Sequence, residues 1–140
     1  MMPNKEDVGS RGTWELLSTA QPPRTVVGRF IGWSTSHSSR HTHEWAWCSA
    51  CRWSDFRIFA PDSGGYVIHY TGISDKPGET TRYRYEDAVT AHEVVEILTT
   101  RRRREGRREV FLSAPAARLL SQAASLDDAM RDAFENRAVL

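Results

Sequence analysis

Between Arg52 and Glu86 the chain repeats with a period of two and is interrupted twice by turn residues, a pattern that few folds can satisfy. In Arg52 to Ala60, Phe56, Ile58 and Ala60 fall on one face of an extended chain, where successive side chains point to opposite sides. Pro61-Asp-Ser-Gly-Gly65 then supplies a turn, Pro for its fixed φ and Gly for its freedom. Tyr66 to Ser74 places Tyr66, Ile68 and Tyr70 on one face, with Val67, His69 and Thr71 on the other. After a second turn at Asp75-Lys-Pro-Gly78, Thr81 to Glu86 sets Tyr83 and Tyr85 against Arg82 and Arg84, the alternation of a half-buried strand. Three strands joined by short turns predict an antiparallel meander, because sequential strands most often pair.

Upstream, Thr13 to Thr19 reads as a short strand stopped by Gln21-Pro22-Pro23. Thr25 to Ser34 is β-branched and aromatic and reads as another, with Gly28 and Gly32 as bulges or points of close backbone approach. Residues 1–12 are polar, carry Pro3, Gly9 and Gly12, and read as a flexible arm, leaving 13–140 as one domain.

Downstream the pattern turns helical. Thr90-Ala-His-Glu93 fits a capping box, with Val94, Val95, Ile97 and Leu98 on one face behind it. The arginine run that follows is expected to end this helix or to prolong it as a solvated tail. Glu109 to Ser113 is expected to be a short strand or an extended connector. From Pro115, a residue suited to a helix start, Leu119, Ala123, Leu126, Met130 and Ala133 make a heptad-like seam. Ser125-Leu-Asp-Asp128 can cap a fresh helix, so this segment reads as one long helix or as two with a bend. The fold class is therefore α+β: an antiparallel meander with a zinc-knuckle hairpin, followed by two or three C-terminal helices.

Chemistry is concentrated from His37 to Trp53, which holds three of the five histidines, both cysteines and three of the five tryptophans. No run of 18 apolar residues predicts a membrane span, and the N-terminus lacks a signal-peptide pattern, so a cytoplasmic chain is expected. In a reducing compartment Cys48-Ser-Ala-Cys51 points to metal ligation or a redox pair rather than a structural disulfide. A thioredoxin-type dithiol needs a helix after its first cysteine, and strand-like sequence follows here. Zinc prefers four sulfur and nitrogen ligands, and Cys48, Cys51, His41 and His43 supply such a set, with His37, His69 or His92 as substitutes for the histidines. A zinc hydrolase using Glu44 is the less favoured use. The deaminase H-x-E and P-C-x-x-C pairing and the helical H-E-x-x-H motif are both missing, and four ligands in eleven residues describe a closed structural site.

Arg101, Arg102, Arg103, Arg104, Arg107 and Arg108 form the second concentration of chemistry. Clustered guanidinium groups suit phosphates, by bidentate hydrogen bonds and counterion release. The competing readings are an acidic host-protein partner and a plain solvated loop, since the formal net charge is only +1. Arg82 and Arg84 extend the patch if their sheet face lies beside it.

Cys48-Ser-Ala-Cys-Arg-Trp53, Tyr66-Val-Ile-His-Tyr-Thr-Gly72, Lys76-Pro-Gly-Glu79, Ala91 to Arg102, Leu112 to Ala124 and Arg131 to Val139 resemble a group of small actinobacterial and actinobacteriophage proteins. The resemblance covers residues 37–139 and implies an origin, with a bacterial host cytoplasm if phage-encoded, but no mechanism. A composition with only Lys5 and Lys76 among nineteen basic residues fits that origin. The expectation is a zinc-stabilised accessory protein that contacts nucleic acid or a host protein, a binding role being favoured over an enzymatic one. The alternative is a structural protein that oligomerises through its C-terminal helix.

Overall fold

A computed structural model describes residues 2–37 and 52–137. Five antiparallel strands run in chain order: β1 (Arg11–Leu16), β2 (Arg24–Thr35), β3 (Arg52–Pro61), β4 (Tyr66–Ser74) and β5 (Arg82–Ala88). Helix α1 (Ala91–Leu98) follows, then a separate two-stranded hairpin of β6 (Thr100–Arg104) and β7 (Arg107–Phe111), then α2 (Ala114–Leu126) and α3 (Asp128–Glu135). The architecture is α+β, as the alternation and the helical periodicity predict. Among the described residues no helix is long and apolar enough to cross a membrane.

Both faces of the large sheet are buried, for different reasons. Ile31, Ile58, Ile68 and Ala88 point to one face and meet Val94, Val95 and Leu98 of α1, Leu119, Leu120 and Ala123 of α2, and Met130 of α3. The other face carries Trp14, Leu16, Val26, Phe30, Phe59 and Val67, and none of the described α-helices packs on it. Instead the sheet rolls until its edges meet. Just past β1, the Thr19 amide donates to the Tyr83 carbonyl on β5 at 2.9 Å, and the Tyr83 amide donates to Thr19 Oγ1 at 2.8 Å. Arg24 and Asp87 pair at 2.5 Å, and the Tyr85 hydroxyl donates to the Pro22 carbonyl. Inside the roll the Phe30 and Phe59 rings stack at 5.1 Å, and Trp14 tilts against both. Each such ring removed from water contributes roughly 1.5–3 kcal/mol.

Two glycines allow this packing. A Cβ on Gly28 would stand 2.3 Å from the Ala60 carbonyl oxygen, so the β2–β3 approach depends on its absence. Gly32 follows a register shift between Phe30 and Gly32, and a Cβ there would stand 3.0 Å from the Leu119 side chain of α2. The strand bends and the helix seats itself at the same place.

Residues 2–10, expected as a loose arm, lie against the sheet. Pro3 is buried, Lys5–Asp7 forms a 3-10 turn, and Asn4 and Asp7 bond each other reciprocally as in a capping box. The Gly9 amide donates to the Phe30 carbonyl, and the Phe30 amide to that of Ser10, so pairing with β2 begins ahead of β1.

Caps set the helix boundaries. Thr90 Oγ1 accepts from the Glu93 amide at 3.1 Å, and Glu93 reaches back to the Val89 amide, one residue earlier than the usual box. Asp127 resolves the open question at the C-terminus in favour of two helices. It ends α2, and its carboxylate caps α3 by accepting from the Met130 amide at 2.8 Å while also accepting from the Tyr66 hydroxyl at 3.0 Å. The heptad-like seam faces inward: Leu119, Ala123 and Met130 are fully buried, and Leu126 and Ala133 pack against them. That apolar face is satisfied within the chain.

Candidate nucleic-acid interface

Helix α1 ends before the arginine run, one of the two outcomes expected, but the run itself is a β-hairpin and not the helical tail or solvated loop of the other readings. Helix α1 stops at Thr99, whose backbone is extended and whose hydroxyl donates to the Val95 carbonyl at 2.7 Å. The chain then enters β6. At the far end Glu105 and Gly106 both have positive φ, 52° and 76°, the conformation of a two-residue type I′ hairpin turn. Such a turn matches the twist of paired strands, so Arg107 to Phe111 returns along β6 as β7. The glutamate in place of the usual Asn or Asp hid the turn in the sequence.

Register fixes where each guanidinium goes. Arg101 opposes Val110, Arg102 opposes Glu109, Arg103 opposes Arg108, and Arg104 opposes Arg107. Opposed residues share a face and successive ones alternate. One face therefore carries Arg101, Arg103 and Arg108, and the other carries Arg102, Arg104 and Arg107. All six are exposed.

The two ends of the ribbon differ in electrostatics. At its base Arg101 pairs with Glu96 of α1 at 3.3 Å. Arg102 pairs with Glu109 at 2.9 Å and lies over the Phe111 ring, 5.0 Å from its centroid. Toward the tip Arg103, Arg104, Arg107 and Arg108 have no carboxylate within ion-pair distance among the described residues. They are opposed two against two, and like charges placed directly across a ladder destabilise it.

The four expected zinc ligands, His41, His43, Cys48 and Cys51, lie outside the described residues, as does Glu44. His37 ends the described part of the chain beyond β2, with its ring 4.2 Å from that of Trp53 on β3. The other two candidate substitutes lie apart. His92 sits on α1, 3.7 Å from Glu96. His69 is inside the rolled sheet, its Nε2 at 2.9 Å from the Leu17 carbonyl oxygen and its ring stacked on Tyr83. Among the described residues no group of three or more His, Cys, Asp or Glu side chains is disposed to hold a metal ion.

Arg82 and Arg84 belong to the large sheet and not to the hairpin. Arg84 lies 3.8 Å above the Tyr70 ring and reaches Glu86 at 3.7 Å. Arg82 borders an open groove of about 600 Å³ between the ends of β3 and β4 and the following turn. On its wall Arg52 grips both oxygens of Glu79 at 3.0 Å from Nε, and Ser74 donates to the same carboxylate at 2.6 Å. These bonds, Arg52's first, hold the Glu79 carboxyl down at about 2. The carboxylate on the groove wall is thus already bonded to Arg52 and Ser74.

A buried polar cluster went unread in the sequence. Inside the roll, Arg57 donates from Nε to the Pro3 carbonyl at 2.9 Å and from a terminal nitrogen to Thr71 Oγ1 at 3.0 Å. Burial lowers its pKa by more than nearby Asp55 raises it. Burial also pulls His69 down to about 4, with Arg57 adding to the effect and the Leu17 bond opposing it. The usable signal was Phe59 and Val67 on the same face as Arg57 and His69. Large apolar residues on both sides of one strand imply that both sides are covered.

Nothing matches the chain among protein-family models, curated proteins or solved structures.

Proposed function

We propose that the protein is a small nucleic-acid-binding accessory module, that its binding element is the β6–β7 hairpin, and that zinc held by Cys48, Cys51, His41 and His43 stabilises the fold. The observation that carries the binding part is the bare tip: four exposed arginines on a register-fixed ribbon that pair with no carboxylate among the described residues. Each cross-strand arginine pair is a local cost that a polyanion removes, since phosphate oxygens bridge guanidinium groups by charge-assisted bonds. An acidic protein partner supplies the same sign of charge, and direct binding to an oligonucleotide with a counterion-release slope separates the two. Four phosphate contacts on duplex give a slope of log K against log salt of about −3.6. Combined Arg103→Ala, Arg104→Ala, Arg107→Ala and Arg108→Ala replacement is expected to abolish most of that slope, measured by fluorescence anisotropy on a labelled oligonucleotide. A wild-type protein with no salt-sensitive binding to DNA or RNA would sink the reading.

The zinc part rests on ligand chemistry and spacing. Zinc contributes folding energy where a site is closed. One equivalent by elemental mass spectrometry, lost in Cys48→Ser together with thermal stability, is the expected result. Metal-free protein with an unchanged melting temperature is the opposite one.

A further inference from the structure

Resting on that reading, we infer that the nucleic acid is double-stranded B-form DNA, entered through its major groove by the tip of the β6–β7 ribbon. Three features of the hairpin select this partner from among nucleic acids.

The first is the distribution of bare charge over both faces. Arg103 and Arg108 project from one face, Arg104 and Arg107 from the other. A partner laid against one face satisfies two of the four and leaves two repelling each other in water. A groove with a phosphate wall on each side reaches all four at once. A single strand is one line of phosphates and offers one wall.

The second is length. The bare part comprises two cross-strand pairs and the Glu105-Gly106 turn. At about 3.4 Å per residue this is roughly 10 Å of ribbon. The B-DNA major groove is about 12 Å wide and 8.5 Å deep and admits a two-stranded ribbon, whereas the minor groove is about 6 Å wide. The major groove of A-form RNA is too narrow for side chains to read. The arginines with intramolecular partners, Arg101 and Arg102, sit at the base, where the ribbon leaves a groove of that depth.

The third is what the hairpin lacks. Single-strand binders stack bases on exposed aromatic rings. The ribbon's one aromatic residue, Phe111, is half-buried and lies under Arg102. The one acidic residue at the tip, Glu105, is exposed between the arginines. Against a phosphate track it is a penalty, but at a groove floor a carboxylate accepts from the cytosine amino group.

The test uses the full chain and anisotropy competition. The probes are a mixed-sequence DNA duplex about two turns long, each of its single strands, and the RNA duplex of the same sequence. Binding to the DNA duplex is expected to be at least about tenfold tighter than to the other three, all compared at one salt concentration. Methyl green, which occupies the major groove, is expected to displace the protein, and netropsin in the minor groove is not. Hairpin-dependent binding that is equal or stronger on single strands or RNA overturns the duplex assignment and leaves nucleic-acid binding standing. Displacement by netropsin and not by methyl green overturns the groove assignment in the same way. Absence of binding to all four probes overturns both.

Discussion

Arg57 and the arginines of the hairpin tip are one residue type handled in two opposite ways. Arg57 is 6% exposed, donates to Pro3 and Thr71, and holds the N-terminal segment over the end of the rolled sheet. Its charge is expensive to bury, and its cost is carried by the packing around it. Arg103, Arg104, Arg107 and Arg108 bond to no other side chain among the described residues and stand in water, where two like charges several ångströms apart repel by only about 1 kcal/mol. The interior arginine is part of what folds the chain, and the tip arginines are not. Residues that contribute nothing to folding but are held in a fixed register are free to serve a partner. The ion pairs at the ribbon base fall between the two, being exposed and worth about 0–1 kcal/mol each.

The sharpest way to break this contrast is to remove the arginines on each side of it. Arg57→Ala deletes two buried hydrogen bonds, strips the Pro3 carbonyl of its donor and empties a buried side-chain volume. We expect a loss of about 2–4 kcal/mol in urea unfolding. The fourfold alanine hairpin variant is expected to stay within about 0.5 kcal/mol of wild type. Arg57→Met, which restores volume without the donor, is expected to recover part of the loss. If Arg57→Ala proves as mild as the hairpin variant, the buried bonds to Pro3 and Thr71 are incidental and the contrast collapses.

The difference between the two regions also explains what could be read in advance. The meander was legible because period two and turn chemistry are local. Tyr66 to Ser74 was placed to the residue, and the inward face of Phe56, Ile58 and Ala60 is the one packed on the helices. Gly28 and Gly32 were legible as points of close approach because a strand tolerates glycine for few other reasons. The roll of the sheet was not, since it depends on Thr19 meeting Tyr83, a contact between residues far apart in the chain that no local pattern encodes. The hairpin was missed for a different reason. Six arginines have fair helix propensity and follow a helix, and only the positive φ of Glu105 and Gly106 reveals that the chain turns back. The arginines themselves were legible as a surface element, but their division into paired base and bare tip needed the register.

The interior has a further property: burying His69 makes the stability of the fold depend on pH below about 6.5. His69 is fully buried with a pKa near 4, against about 6.5 in an unfolded chain. A carbonyl only accepts, so the neutral ring donates from Nε2 to Leu17, and Nδ1 has no hydrogen-bond partner among the described residues. Arg57 on the neighbouring strand opposes a second positive charge in the same space. Because the folded pKa is lowered, the unfolded state takes up the proton first as pH falls. The contribution of His69 is therefore complete above about pH 6.5, declines between 6.5 and 4, and levels off below. By pH 5 the loss is about 2 kcal/mol. Glu79, also lowered in the folded state, loses its contribution only below about pH 4.5, outside most of that window. Urea midpoints at pH 7, 6 and 5 are the measurement, with His69→Gln as the control that keeps a donor for Leu17 and removes the titration. A wild-type slope between pH 6.5 and 5 that persists in His69→Gln would place the titrating group elsewhere. A slope that vanishes in the variant, while the fourfold hairpin variant retains it, locates the pH sensitivity of the fold inside the roll and separates it from the binding surface.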